Sequence, residues 1–285
     1  MRGESRWESQ RLSWAAVGWL RPGLCRVRAL VMLKAVREDV CISAVFPTNT
    51  NERRAVDVHD WSDLTPPHDF HYPAVKLQVK GDLAAFTRPE MTSERLSYKL
   101  LTPSAAIGLL SAVLWKPQIR WVIEQIDVLA PVRWANLRRN ELAVPATRES
   151  LKRGYLDADA NVQQRMTTLL RDVHYRIHAH VWVHPEARDQ DAAKWRAQFH
   201  RRVARGQTFR TPFLGMREFH ADIVPADDTP SIDWTEDLGV MLHSIHYDPR
   251  TAEETYDWFE ARVQHGVLRV PRHGLMAQNA HSGSA

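Results

Sequence analysis

The stretch that decides the fold is "GDLAAFTRPEMTSERLSYKLLTPSAAIGLL", residues 81–110. It ends an apolar strand with Gly-Asp, continues through a Thr-Arg-Pro-Glu turn and a basic polar segment, and enters a helix of small residues. Thr102 is a favourable N-cap, and Pro103 follows at the first helical position, where its missing N–H is not needed. Arg88 and Arg95 therefore lie between the first clear strand and the first clear helix.

The segments around this stretch alternate between strand and helix patterns. "AVKLQVKGD" places Val75, Leu77 and Val79 on one face of a strand. Strand patterns follow the helix in "IRWVIEQIDVL", "WANLRRNEL" and "DVHYRIHAHVWV", then a helix in "DAAKWRAQFHRRVAR", then strands in "REFHADIVP", "GVMLHSIHYD" and "GVLRVP". This order predicts an α+β protein, with a ferredoxin-like split βαβ arrangement as the leading candidate.

The patterns change near residue 70. We expect residues 1–70 to form a poorly ordered N-terminal appendage with one helix at 26–38, or to be upstream sequence translated from a start codon set too early. Residues 71–225 are predicted to form the ferredoxin-like domain, and 226–275 an additional β-rich C-terminal part. The tail, 276–285, is expected to be disordered.

Composition favours a cytoplasmic protein with an acidic partner. The 285 residues carry a formal charge of +4 with a pI near 9.2, which mildly favours nucleic acid as a partner. Cys25 and Cys41 are the only cysteines, which suits a reducing cytoplasm. The longest early apolar run, 12–20, is far shorter than the ~20 residues that span a bilayer, so no membrane partner is expected.

The second predicted helix has one apolar and one basic face. At about 100° per residue, Trp195, Phe199 and Val203 share one stripe, and the basic residues lie on the opposite arc. "GQTFRTPFLG" follows, and its two glycines are expected to let the backbone approach a phosphate. The residues predicted to bind nucleic acid are Arg88, Arg95, Arg138, Arg139, Arg201, Arg202, Arg205, Gly206, Arg210 and Arg217.

Histidines in "HYRIHAHVWVH" raise the question of a metal site. His178 and His180 project to one face of a strand, but no cysteine lies nearby and no carboxylate stands at ligand spacing. A half-exposed strand facing RNA or another subunit is the preferred interpretation, and neither metal nor cofactor is predicted. Phosphate-loop, dinucleotide-binding and serine-nucleophile motifs are missing from the sequence.

Residues 74–272 resemble a known family. "FTRPE", "TPSAA", "WKP", "RRNE" and "LGxREF" occur together in the order and spacing of the CRISPR-associated Cas-five family, in its subtype I-C (Dvulg) branch. The resemblance implies a ferredoxin-like, RRM-related domain that binds the repeat-derived 5′ handle of CRISPR RNA (crRNA). It also implies a place beside the Cas-seven backbone and Cas-eight large subunits of a surveillance complex.

In subtype I-C, members of this family also cut the precursor RNA without metal. The members that cut use an aromatic or histidine residue just before "WKP" and a Lys-His pair early in the second helix. Carried onto this sequence, these positions are Leu114, Lys194 and Trp195, so only the lysine is retained. His174 and Tyr175, on the preceding strand, are the candidates to replace the missing groups. Three interpretations stay open: an endoribonuclease that also holds crRNA, a non-catalytic crRNA-capping subunit, and a sheet-based RNA binder unrelated to CRISPR.

Overall fold

The computed structural model describes residues 61, 64–67, 69–91, 94–144, 147–156, 158–187, 191–247 and 254–275, all within one compact unit, 53–285. The predicted helix at 26–38, most of the predicted appendage and the predicted tail lie outside the described residues. None of the helices in the described part has the length and hydropathy that a membrane span requires.

The described elements largely match the predicted ones. The strands are β1 (Val75–Ala84), β2 (Arg95–Leu96), β3 (Ile119–Val128), β4 (Trp134–Leu142), β5 (Val162–Val183), β6 (Asp222–Pro225), β7 (Glu236–Tyr247), β8 (Glu254–Gln264) and β9 (Val267–Arg269). The α-helices are α1 (Pro103–Val113), α2 (Arg148–Arg153) and α3 (Ala192–Ala204). Thr102 caps α1 as predicted, because its hydroxyl accepts a hydrogen bond from the backbone N–H of Ala105 at 3.3 Å.

The strands of the described part form one large sheet. Its order is β6-β1-β5-β3-β9-β8-β7, with neighbours antiparallel along this path. β4 pairs with the first half of β5 as an antiparallel ribbon, and β2 runs parallel to β5 beside it. Strands β7 to β9 lie in the segment predicted to be β-rich, and β9 joins them to the same sheet through β3.

Two helices cover one face of this sheet. Trp121 of β3 packs against Phe199 of α3 with ring centroids 4.9 Å apart, and its indole N–H donates to the carbonyl of Leu114 at the end of α1. Alternation along β5 places Tyr175 and Ile177 on this same buried face. The hydrophobic core therefore lies between the sheet and the pair α1 and α3.

The opposite face is covered in part by residues that precede β1. Phe70 stacks on His180 with ring centroids 4.5 Å apart and ring planes 3° apart. Trp61, only 8% exposed, packs edge-on against Trp182 at 4.8 Å, and its indole N–H donates to the carbonyl of Pro117. These residues lie within the segment that the sequence predicts to be an appendage.

Candidate functional site

Predicted RNA-binding arginines meet on the ribbon formed by β4 and β5. The register places Arg139 opposite Arg165, on the face of the ribbon beside β2. Arg95 of β2 forms a hydrogen-bonded ion pair with Glu141, whose carboxylate also lies 3.9 Å from the Arg139 guanidinium and 3.8 Å from that of Arg165. The hydrogen bond from Arg95 and the charges of all three arginines lower the pKa of Glu141, so the carboxylate stays ionised.

Arg88 and Arg217 lie on segments that are bonded to this surface. The Arg88 backbone N–H donates to the carbonyl of Leu96 in β2, and its guanidinium lies 4.6 Å from the Tyr98 ring centroid. Arg217 is exposed and precedes Glu218, whose carboxylate pairs with Arg139. Glu141 thus joins Arg95 to Arg139, and Arg88 and Arg217 neighbour their partners; we call these four arginines the ribbon-base cluster.

Arg138 does not join this cluster. Neighbouring residues of a strand point to opposite faces, so Arg138 projects from the other side of β4 and is exposed there. Arg138 and Arg139 therefore face different sides of β4 and are not expected to bind the same phosphate.

Helix α3, the second helix predicted from the sequence, has the expected amphipathic character. Trp195, Phe199 and Val203 are buried, whereas Arg201 and Arg205 are exposed. Arg202 is half-buried and Arg210, in the loop that follows, is exposed. This helix therefore presents a second basic surface, separate along the chain from the ribbon.

The two glycines near this surface have different environments. Gly206 follows the C-cap of α3 and has a φ of 62°. A Cβ atom built there would meet no atom within 4 Å, so the space beside its backbone is open. Gly215 has a φ of 81°, and a Cβ atom would lie 1.9 Å from the carbonyl oxygen of Ala85. At Gly215 the Ala85 carbonyl fills the space that the missing side chain leaves, whereas at Gly206 that space is open. Phosphate approach at the two glycines stays a prediction.

The positions at which the family resemblance predicts catalytic groups are split between surface and core. Lys194 is exposed on the first turn of α3, with its Nζ 5.1 Å from the Trp195 ring centroid. Trp195 is 8% exposed and Leu114 is 2% exposed. Neither an aliphatic nor an indole side chain exchanges protons near neutral pH, and both pack in the core here.

The two candidate replacements lie on opposite faces of the sheet. Tyr175 is 3% exposed on the helix-covered face, and burial raises the pKa of its hydroxyl far above its ordinary value. His174 lies on the opposite face of the sheet, where its Nε2 is 3.3 Å from the Gln78 side-chain oxygen. Burial, followed by the charge of Lys80, lowers the pKa of His174. The sheet itself separates His174 from α3, so His174 and Lys194 do not form one site.

Two other histidines of β5, His178 and His180, contact carboxylates on that opposite face. Asp127, 4% exposed, lies 2.9 Å from the His178 Nε2 and 3.1 Å from an Arg176 nitrogen. Burial raises the pKa of Asp127, but hydrogen bonds from His178 and Gln125, together with nearby positive charge, outweigh burial and lower the pKa overall. Within the described residues, no group of three or more histidine, cysteine, aspartate or glutamate side chains is placed to hold a metal ion.

Sequence patterns missed the carboxylates that organise the ribbon-base cluster. Glu141 and Glu218 lie far apart in the chain and meet the same arginine, and Arg165 joins only through the strand register. The one available signal was the alternation of "RRNEL", which places Arg139 and Glu141 on the same face of a strand.

The fold and the basic surface define a mixed α/β protein built on a large antiparallel sheet with a positively charged ribbon. The family model described as CRISPR-associated protein (Cas_Cas5), in its Cas5d form, matches residues 74–271. The chain belongs to this family, which confirms the resemblance seen in the sequence.

Two curated relatives are similar over most of their own length. The CRISPR pre-crRNA endoribonuclease Cas5d of Mannheimia succiniciproducens is 40% identical over 215 residues, which is 69% of this chain and 94% of the relative. The protein of the same name from Thermus thermophilus is 38% identical over 214 residues, which is 69% of this chain and 91% of the relative.

Solved structures support the fold. A CRISPR-associated protein aligns with a TM-score of 0.53 at 23% identity, covering 72% of this chain and 95% of that one. A functionally uncharacterized protein from Streptococcus mutans aligns with a TM-score of 0.51, also at 23% identity, covering 70% of this chain and 93% of that one. At this identity the likeness concerns the fold alone.

Proposed function

We propose that this chain binds CRISPR repeat RNA, processes precursor crRNA by metal-independent cleavage and then holds the 5′ handle. The observation that carries the proposal is the 40% identity to a CRISPR pre-crRNA endoribonuclease across 94% of that protein's length. Such coverage leaves little of the relative without a counterpart in this chain.

The ribbon-base cluster supports the RNA-binding part of the proposal. Guanidinium groups bind phosphate through paired N–H donors, and Glu141 and Glu218 hold Arg95 and Arg139 in fixed positions. The exposed arginines of α3 add a second contact for the backbone. Both surfaces lie on the chain that the family model covers.

Lys194 is the residue proposed to act in cleavage. The 2′-hydroxyl of one nucleotide attacks the adjacent phosphorus, the bond to the 5′-oxygen breaks, and a 2′,3′-cyclic phosphate remains. An exposed ammonium group can stabilise the charge on the crowded phosphorane or protonate the departing 5′-oxygen. Since each acid or base lost typically lowers the rate by roughly 10²–10⁴, the changes at Leu114 and Trp195 predict slow turnover.

A second function, a non-catalytic crRNA-capping subunit, is favoured by one specific observation. Leu114 and Trp195 are both buried and cannot exchange protons. His174 lies on the face of the sheet opposite α3, and burial raises the pKa of Tyr175, so its hydroxyl is a poor base. In this case the arginine surfaces bind the handle and another enzyme cuts the RNA.

A cleavage assay decides between the two functions. The full chain is incubated with its cognate repeat RNA in excess EDTA, beside Lys194→Ala and the matched surface variant Lys152→Ala. Processing predicts one cut with a 2′,3′-cyclic phosphate, lost in Lys194→Ala and retained in both Lys152→Ala and His174→Ala. Tight binding with intact RNA over several hours contradicts cleavage and supports the capping function. Failure to bind the repeat RNA contradicts both.

We further infer a ferredoxin-like core within the fold. The order β1-α1-β3-β5-α3-β6 is a β-α-β-β-α-β arrangement, and the sheet order β6-β1-β5-β3 supports this inference. The boundaries at 70, 225 and 275 remain predictions, as does a cytoplasmic location. Assembly with Cas-seven and Cas-eight subunits is also proposed, and co-purification of the tagged chain with those subunits tests it.

A further inference from the structure

A cleft lies between the start of β4 and the chain that leads into β7. Its volume is about 460 Å³, which is large enough for a nucleobase. Residues that line it include Lys99, Val132, Trp134, Asp233, Trp234 and Glu236. None of these residues is among those that the sequence predicts to bind RNA.

One wall of the cleft is aromatic and open to solvent. Trp134 is 42% exposed although it begins a strand of the main sheet. Pro131 and Val132 continue this wall with apolar surface. An exposed indole beside apolar side chains offers a platform on which a flat base can stack.

Two other residues that line the cleft, Asp233 and Glu236, carry carboxylates. The Glu236 carboxylate accepts a hydrogen bond from the Trp234 indole at 3.0 Å and pairs with the Lys99 ammonium. Hydrogen bonds from Lys99 and Trp234 lower the pKa of Glu236, so it is an ionised acceptor at neutral pH. Asp233 adds a second carboxylate whose side chain is 91% exposed.

We propose that this cleft binds an unstacked guanine of the RNA, with the base stacked on Trp134 and its Watson–Crick edge facing the carboxylates. This inference rests on the proposed RNA-binding function. Guanine alone among the four common bases presents two adjacent donors, N1–H and the N2 amino group, to a single carboxylate. Uracil presents one N–H between two carbonyl oxygens, which a carboxylate repels.

The cleft opens on the face of β4 that carries Arg138. Trp134 and Arg138 are four residues apart in a strand without a bulge, so their side chains share a face, and Arg138 is exposed there. A strand of RNA whose phosphate contacts Arg138 can therefore turn one base into the cleft while Lys99 contacts a neighbouring phosphate.

The test uses labelled nine-nucleotide RNAs and the full chain. The probes are U4GU4, the same strand with inosine in place of guanosine, and U9, and fluorescence anisotropy reports their affinity. Inosine retains N1–H but lacks the N2 amino group. We expect the guanosine strand to bind about tenfold more tightly than either other probe.

Variants of the lining residues test whether the preference for guanosine arises in the cleft. Trp134→Ala is expected to weaken the guanosine strand about tenfold and Trp134→Phe to retain most of its affinity, because phenylalanine still stacks. Glu236→Gln is expected to bring the guanosine and inosine strands close to equal affinity. Asp237→Asn is the matched control, because this carboxylate on the same strand pairs with Arg262 and does not line the cleft.

The outcomes separate this inference from the proposed function. Equal affinity for all three probes, with tight binding of the cognate repeat RNA, overturns the guanine site and leaves the proposed function standing. A guanosine preference that survives in Trp134→Ala and Glu236→Gln also overturns it, and loss of subunit assembly in those variants would then assign the cleft to a protein partner. Absence of binding to the repeat RNA overturns both. Circular dichroism melts verify that each variant is folded.

Discussion

The contribution of Arg139 to RNA binding gives the sharpest test of the proposed surface. Arg139 is 20% exposed and its guanidinium is positioned by Glu141 and Glu218, so Arg139→Gln removes a preorganised cation and leaves both carboxylates without it. A charge-assisted hydrogen bond contributes about 1.5–3 kcal/mol, so repeat-RNA affinity should fall at least about tenfold at low salt.

Salt dependence distinguishes a phosphate contact from a general loss of folding. For single-stranded RNA, each phosphate contact contributes about 0.7 to the slope of log affinity against log salt. Arg139→Gln should therefore lower that slope by about 0.7, and its affinity deficit should shrink roughly 2.6-fold between about 0.05 and 0.2 M KCl. Fluorescence anisotropy with the repeat RNA at several KCl concentrations measures both quantities.

A matched control separates position from charge. Arg262→Gln removes an exposed arginine of β8 that also pairs with a carboxylate, Asp237, at 2.8 Å. Its slope and affinity should equal those of the wild type within error. An unchanged slope in Arg139→Gln, or an equal change in both variants, would refute the assignment of Arg139 to the interface. Arg138→Ala and Arg202→Ala, measured alongside, test the faces on which those residues lie.

Three further predictions concern the fold that supports this surface. Asp127→Ala should lower the free energy of unfolding by roughly 3–5 kcal/mol because it leaves Arg176 buried without its partner. Because the pKa of Asp127 is lowered in the folded state, its contribution to the free energy of unfolding is fully present above pH ~3.9 and is lost as the pH falls further. The difference in free energy of unfolding between wild type and Asp127→Ala, measured by urea titration, should therefore narrow only below pH ~4. A constant gap at every pH would contradict this. Gly215→Ala should destabilise by at least about 2 kcal/mol, since its φ of 81° and the Ala85 carbonyl both exclude a side chain, and an unchanged melting temperature would show that the loop can move. Trp61→Ala should cost roughly 3 kcal/mol because the indole is 8% exposed, whereas equal stability would support the predicted boundary at residue 70.

Local sequence signals identified many of the elements and much of the candidate surface. The N-cap Thr102 and the apolar stripe through Trp195 depend on contacts within a few residues, so both were predicted and both were confirmed. The first half of β5 was missed, because residues such as Gln163 and Gln164 carry little strand signal of their own. Pairing with β4 across the ribbon makes that segment a strand.

Strand β8 was also missed, although Phe259, Ala261 and Val263 alternate in the sequence and are buried. Their alternation with Glu260 and Arg262 was the available strand signal. Its position in the sheet depends on β7 and β9, and neither neighbour is evident from β8 alone.

The sequence by itself determined the family and most of the helix-strand order, because residue identity and short-range periodicity suffice for both. It also shows Leu114 and Trp195 at the positions where the family resemblance implies catalytic groups. Only the tertiary structure decided which residues share a surface. His174 and Lys194 are close in the chain but lie on opposite sides of a sheet, whereas Arg95, Arg139 and Glu218 are distant in the chain and meet at one ribbon. The physical reason is that side-chain neighbours depend on strand register and on the face that the helices bury, and long-range packing sets both.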